Sequence, residues 1–174
     1  RVGFAVAACG RKKMKFDDYR IEPEIKRNLA NLGLRRPTDI QFKSIPPILN
    51  GEDVLAIAQT GTGKTAAFAI PIVHMLHEQK RSRRTEGIQC VVMEPTRELA
   101  LQITEVFDSI GKHTRVKTLC VFGGVEQDPQ IARLEKGVDI LVTTPGRMFD
   151  LVSQGHIHLN RVQILVLDEA DHML

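Results

Sequence analysis

An α/β domain, a parallel β-sheet sandwiched by helices, is predicted by three observations. From residue 53 onward, short β-branched apolar runs alternate with longer segments of helical spacing, the pattern of right-handed βαβ units. Those runs are apolar at successive positions, as in strands covered on both faces. The length, 174 residues with 43% hydrophobic and 26% charged, suits one domain with one sizeable core.

The elements follow in order. Pro23 to Leu32 and Ile40 to Leu49 read as two short helices, with Pro23 suited to a first turn and Gly33 to a stop just past the last. Val54-Leu55-Ala56-Ile57 reads as a strand leading into a glycine-rich turn, then a helix from Lys64 to about Glu78. Lys80-Arg81-Ser82-Arg83-Arg84-Thr85 is expected to be a basic loop, either a solvated connector or a phosphate contact. Ile88 to Met93 is a strand and Arg97 to Ile110 a helix; the pattern repeats with Val116 to Phe122 and about Gln127 to Lys136. Ile140 to Val142 with Arg147 to Gln154 repeats it again, and Val162 to Leu167 forms a last strand.

Composition excludes several classes. The mix is unlike disordered, collagen-like or disulfide-dense chains. A formal net charge of +3 permits an acidic polymer as partner without requiring one. With only 5% aromatic residues, binding chiefly by base stacking is disfavoured. The three cysteines, Cys9, Cys90 and Cys120, form no close pair, so neither zinc nor a disulfide framework is indicated. No apolar run approaches the ~20 residues that span a bilayer. Residues 1–13, with their short apolar stretch ending at Cys9, faintly imitate an export signal. They are expected instead to be a disordered leader or upstream extension, with the folded part spanning 14–174 in the cytoplasm.

Ala58-Gln59-Thr60-Gly61-Thr62-Gly63-Lys64-Thr65 sits between an expected strand and a helix, the context of a phosphate-binding loop. Glycines there let backbone N–H groups surround phosphate oxygens at the positive end of a helix. Lys64 can reach the β- and γ-phosphates and the Thr65 hydroxyl can ligate Mg²⁺. Ala58 stands where the strict pattern has Gly. Asp168-Glu169-Ala170-Asp171 follows the last apolar run, and a carboxylate at a buried strand's C-terminal tip is where parallel sheets handle ligands. Asp168 can hold the metal and Glu169 can deprotonate an attacking water. Alone, such an acidic run is also an ordinary helix cap.

Several further strings carry a resemblance. Gly33-Leu34-Arg35-Arg36-Pro37-Thr38-Asp39-Ile40-Gln41 and an isolated Phe16, the phosphate loop and Asp168 to Asp171 occur in one fixed order. So do Pro95-Thr96-Arg97-Glu98-Leu99-Ala100, Gly123-Gly124 and Thr144-Pro145-Gly146-Arg147. Together they resemble the first RecA-like domain, of the bacterial type, of the DEAD-box ATP-dependent RNA helicases. The resemblance implies a RecA-like P-loop NTPase fold, here ending after the Asp-Glu-Ala-Asp string, with ATP and Mg²⁺ as cofactors. It implies that Gln41 reads adenine, its amide matching N6 and N7 bidentately, and that Phe16 stacks on the base. Phe16 is equally readable as a core residue, and Gln41 as a helix-surface residue. Leu34 departs from the aromatic common in the family.

The resemblance further assigns Pro95, Thr96, Arg97, Gly123, Gly124, Thr144, Pro145, Gly146 and Arg147 to the RNA backbone. Glycines permit close approach and helix starts offer free N–H groups. Such contacts are sequence-independent and salt-sensitive. Thr96 can at the same time be a helix cap. The parent is expected to be a monomer with a second RecA-like domain that supplies arginine fingers, worth about 10³–10⁵ in rate. These residues alone are therefore expected to bind ATP–Mg²⁺ and turn it over negligibly. Two other classes stay open: a P-loop NTPase that does not act on nucleic acid, and a non-catalytic RNA-binding scaffold.

Overall fold

The computed structural model describes residues 14–59, 61–82 and 86–173. The expected leader at 1–13, Thr60 of the expected phosphate loop, Arg83, Arg84 and Thr85 of the basic stretch, and Leu174 lie outside the described residues. The described residues form six helices and four strands, alternating from α3 onward: α1 (Pro23–Asn31), α2 (Asp39–Leu49), α3 (Lys64–Ser82), β1 (Cys90–Met93), α4 (Arg97–Gly111), β2 (Thr118–Val121), α5 (Asp128–Leu134), β3 (Ile140–Thr143), α6 (Pro145–Ser153) and β4 (Ile164–Leu167). Short 3-10 turns occupy Phe16–Asp18 and Ala170–His172. Among the described residues no helix is long and apolar enough to cross a membrane.

All strand pairs are parallel, in the order β2-β3-β1-β4. Alternate side chains supply two cores, one on each face. Cys90, Val92, Ile140 and Val142 join Ile25, Leu29, Ile45, Ile70, Val73 and Phe107 from the first four helices. Val91, Leu119, Val121 and Leu141 join Met148 and Leu151 of α6 on the other face. Doubly covered strands explain why the runs are apolar throughout.

Two expectations are corrected. Residues 54–57 form no strand: Leu55 and Ile57 are each 91% exposed, and no backbone ladder holds the segment. A strand needs a hydrogen-bonded neighbour, and a groove of about 840 Å³ separates this segment from β4. β4 is also not buried on both faces. Ile164 and Val166 pack on the first core, whereas Leu165 and Leu167 are 58% and 52% exposed. Among the described residues β4 pairs with β1 alone and no helix covers its second face.

The basic stretch differs too. α3 continues through Ser82, so Lys80 and Arg81 are helical. Arg81 pairs with Glu22 at 2.8 Å, and Lys80 pairs with the buried Asp139 at 2.8 Å. Asp139 also accepts the Lys117 N–H at 2.7 Å, and its backbone C=O accepts the N–H groups of Gln89 and Cys90. One residue thus ties together α3 and the places where β1, β2 and β3 begin, its carboxylate holding Lys80 and Lys117 and its backbone carbonyl holding the start of β1. Asp139→Ala leaves the Lys80 ammonium and the Lys117 N–H without this partner. The expected loss is roughly 3 kcal/mol, the low end for breaking a buried pair because a fifth of the Lys80 side chain stays exposed. Urea unfolding measures it; a loss under about 1 kcal/mol contradicts the assignment.

Candidate functional site

In-register pairing puts the C-terminal ends of the strands side by side: Met93 opposite both Thr143 and Leu167, and Val121 opposite Thr143. Whatever follows each strand therefore lies along one edge of the sheet, where parallel α/β sheets bind ligands. Pro95 to Arg97, Gly123-Gly124, Thr144 to Arg147 and Asp168-Glu169 are those residues.

The phosphate loop joins this edge at the start of α3. Gly61 and Gly63 have φ of +79° and +88°, a region open to glycine, and the Thr62 hydroxyl donates to the Gln59 carbonyl at 2.7 Å. Ala58 and Gln59 enter this turn in irregular backbone. Lys64 and Thr65 open α3, both half-buried. The Lys64 Nζ lies 3.8 Å from the Asp168 Oδ1, the two side chains 23% and 16% exposed. Beside it Glu169 adopts a left-handed conformation, φ 47° and ψ 43°, which costs a non-glycine residue roughly 1 kcal/mol and persists where the surroundings impose it. The Asp168 Oδ1 accepts the Glu169 N–H at 3.0 Å.

Sequence reasoning missed Glu94. It follows β1 as Asp168 follows β4, so the same signal, an acid directly after a buried strand, would have found it. The side chain is 0% exposed and neither carboxyl oxygen has a hydrogen-bond partner among the described residues. Burial, reinforced by Asp168 and Glu169 and opposed by Lys64, raises its pKa to about 8. Glu94 therefore holds a proton near neutrality, in a cluster otherwise rich in negative charge.

Gln41 is buried in the first turn of α2 rather than on the helix surface. Its Oε1 accepts the Thr38 N–H at 2.9 Å, closing a capping box, and its Nε2 donates to the Gly63 carbonyl at 3.1 Å. These bonds use one of its two amide N–H groups and one of its two carbonyl lone pairs. A Cβ on Gly63 would lie 2.5 Å from that Nε2, so a side chain there would push the Gln41 amide aside, on a backbone whose φ of +88° already favours glycine. Phe16 is 2% exposed, within the first core and 6.1 Å from the Tyr19 ring. In this structure both ring faces belong to the core and none is open for stacking on a base. Its N–H, donating to the Arg35 carbonyl at 3.3 Å, braces the segment before Gln41.

Along the rest of the edge, the Thr96 hydroxyl accepts the Leu99 N–H and caps α4. The Arg97 guanidinium lies 4.6 Å from the centroid of the Phe122 ring, a cation–π contact. Thr144 is the N-cap of α6 without a side-chain cap bond, and Pro145 takes the first turn, followed by an exposed Gly146. Gly123 and Gly124 are exposed, Gly124 with φ +78°. Arg147 is turned inward: its side chain is 10% exposed, Nη2 donates to the Val125 carbonyl at 2.9 Å, and Nη1 is buried without a partner. It braces the Gly123-Gly124 loop instead of projecting from the surface.

Comparison with known proteins agrees with this geometry. The family model for DEAD/DEAH box helicases matches residues 38–174. The DEAD-box ATP-dependent RNA helicase RhpA of Helicobacter pylori is 41% identical over 162 residues, covering 93% of this chain and 32% of that protein. The probable ATP-dependent RNA helicase DDX17 of Mus musculus is 46% identical over 138 residues, covering 79% of this chain and 21% of that one. A crystal structure of a DEAD box protein from the hyperthermophile Methanococcus jannaschii superposes with a TM-score of 0.84 at 39% identity, over 92% of this chain and 42% of that one. The chain belongs to the DEAD/DEAH box helicase family. It spans about a third or less of the curated relatives it matches most extensively, which include bacterial and eukaryotic proteins.

Glu94 makes stability depend on pH. Its folded pKa of about 8 lies above the ordinary 4.5, so between these values the folded chain keeps a proton that the unfolded chain has lost. Stability is complete below that window and falls as pH rises through it, by at most about 1.4 kcal/mol per pH unit. Glu94→Gln removes the titration, and urea midpoints between about pH 5 and pH 8 should fall less in the variant than in the parent. Equal slopes would remove the protonated carboxyl from the site.

Proposed function

We propose that this chain is the nucleotide-binding domain of an ATP-dependent RNA helicase, a cytoplasmic monomer in which a second RecA-like domain of the same polypeptide completes the site. The observation that carries the reading is the pairing of Lys64 with Asp168 across the mouth of the phosphate loop, 3.8 Å apart. They share one sheet edge with the strand-tip segments assigned to RNA.

The donor set suits a nucleoside triphosphate and Mg²⁺. The glycine backbone from Gly61 and the N–H groups at the start of α3 offer donors to phosphate oxygens. The Lys64 ammonium, exchanging Asp168 for the β- and γ-phosphates, offsets their charge. The Thr65 hydroxyl and the Asp168 carboxylate are oxygen ligands of the kind Mg²⁺ takes. When bound, Mg²⁺ neutralises phosphate charge that develops during transfer. Glu169 accepts a proton from the water attacking the γ-phosphate. Gln41 offers its remaining N–H and lone pair to adenine, so the base is read by the side chain that grips Gly63.

The RNA chain is met by Pro95 to Arg97, Gly123-Gly124 and Thr144 to Gly146, through the N-termini of α4 and α6 and glycine backbone. Arg147 acts there through its hold on Val125. These groups address phosphate and sugar, so binding is independent of sequence and weakens with salt.

Two variants of the full-length protein test this. Lys64→Ala should weaken ATP binding at least about tenfold in fluorescent-nucleotide titrations. Glu169→Gln should keep ATP binding and lose about 10²-fold or more in RNA-stimulated hydrolysis, as expected for a general base. Unchanged ATP affinity in the first variant refutes the nucleotide site; undiminished hydrolysis in the second refutes the role of Glu169.

A further inference from the structure

Gln130 belongs to none of the segments discussed so far. It lies on α5, 8% exposed. Its Oε1 accepts the Phe122 N–H at 2.9 Å, while its Nε2 donates to the Phe122 carbonyl at 3.2 Å and the Glu126 carbonyl at 3.3 Å. Phe122 is the first residue past β2, an outer strand of the sheet whose last ladder partner is Thr143, opposite Val121. The side-chain amide does for Phe122 what a further strand would do, accepting from its N–H and donating to its C=O.

Between the two anchored residues the loop is also held at Val125, whose carbonyl accepts from Arg147, but the two glycines themselves are not held. A Cβ at Gly123 or Gly124 would meet no atom within 4 Å, so the pair is not wedged by neighbours. Two adjacent glycines sample more backbone conformations than any other dipeptide, and ordering them during binding would cost affinity. Gln130 fixes the entry at Phe122 and the exit at Glu126, so that cost is met when the domain folds.

We propose that Gln130 is a positioning residue for the RNA site, its amide holding the loop from Phe122 to Glu126 so that the Gly123-Gly124 backbone is preset to receive a ribose-phosphate chain. This rests on the RNA role proposed above for the two glycines.

The test uses the full-length protein with Gln130→Met, similar in length and apolar, and Gln130→Glu, which keeps the acceptor and loses the donor. A labelled single-stranded uridine oligonucleotide and a fluorescent ATP analogue report the two affinities. Steady-state hydrolysis gives KM for RNA and kcat, and amide exchange at Phe122 reports the loop. For Gln130→Met the RNA Kd and the KM for RNA should rise about tenfold, the low end for losing a group that orients a binding contact. kcat at saturating RNA and the ATP Kd should stay within about twofold, and exchange at Phe122 should accelerate. Gln130→Glu should fall between the two, and it carries the same comparison if the Met variant does not fold. An RNA Kd that stays put while Phe122 exchanges faster overturns the proposal, as does an ATP Kd that rises in step with the RNA Kd. Failure of the unmutated protein to bind the oligonucleotide overturns the RNA reading itself, and this proposal with it.

Discussion

In-register parallel pairing is the constraint from which the rest of the molecule follows. Four strands of four residues each start level, held by Asp139 and its backbone at one end, and so they finish level at the other. Because polar or glycine residues follow within two positions of each strand's end, four separate stretches of sequence arrive on one edge without any loop reaching far. A slip of one residue along a strand would turn its inward side chains outward. With apolar residues on both faces of the inner strands, that shift is heavily opposed. The packing that stabilises the fold is thus also what aligns Lys64, Asp168 and the strand-tip segments.

The edge so formed is electrically crowded. Asp168, Glu169 and Lys64 all act on Glu94, and Lys64 pairs with Asp168. The arrangement is tolerated because Glu94 stays protonated and Asp168 has its cation. A triphosphate arriving at Lys64 adds further negative charge, which a bound divalent cation at Thr65 and Asp168 would counter. The unsatisfied Glu94 oxygens and the left-handed backbone of Glu169 lie within this stretch, where function rather than stability accounts for local strain.

Much of this was legible in the residues. The cap at Thr96, Pro23 at the first turn of α1, the stop at Gly33 and the apolar runs of β1 to β4 located those elements to within a few positions. Lys64 and Asp168 could be paired because a phosphate loop requires an acid on another strand. What escaped depended on neighbours the local pattern does not name. Val54 to Ile57 has strand composition, yet a strand exists only where another offers hydrogen bonds. Leu165 and Leu167 look like core residues until the sheet order leaves β4 with one partner. Phe16 suited both a stacking ring and a core ring, and burial chose the core. Arg147 suited a phosphate contact, yet it turns inward to the Val125 carbonyl. Gln130 carried no signal at all, since an amide that completes a distant strand end has no characteristic spacing.

The groove between β4 and the Val54–Ile57 segment bears on the nucleotide site beside it. Lys64 and Asp168 line one end of it, and the stretch that delivers the phosphate loop forms one wall without ladder bonds. Any polypeptide that settled into this slot would brace that wall and the strand carrying Asp168 together. By thermodynamic reciprocity, a triphosphate that draws the same two walls together would favour the occupant equally. Were both to draw on the same two walls, occupancy of the slot and occupancy of the phosphate loop would be two faces of a single equilibrium, and an affinity measured with the slot empty would describe only one corner of that cycle.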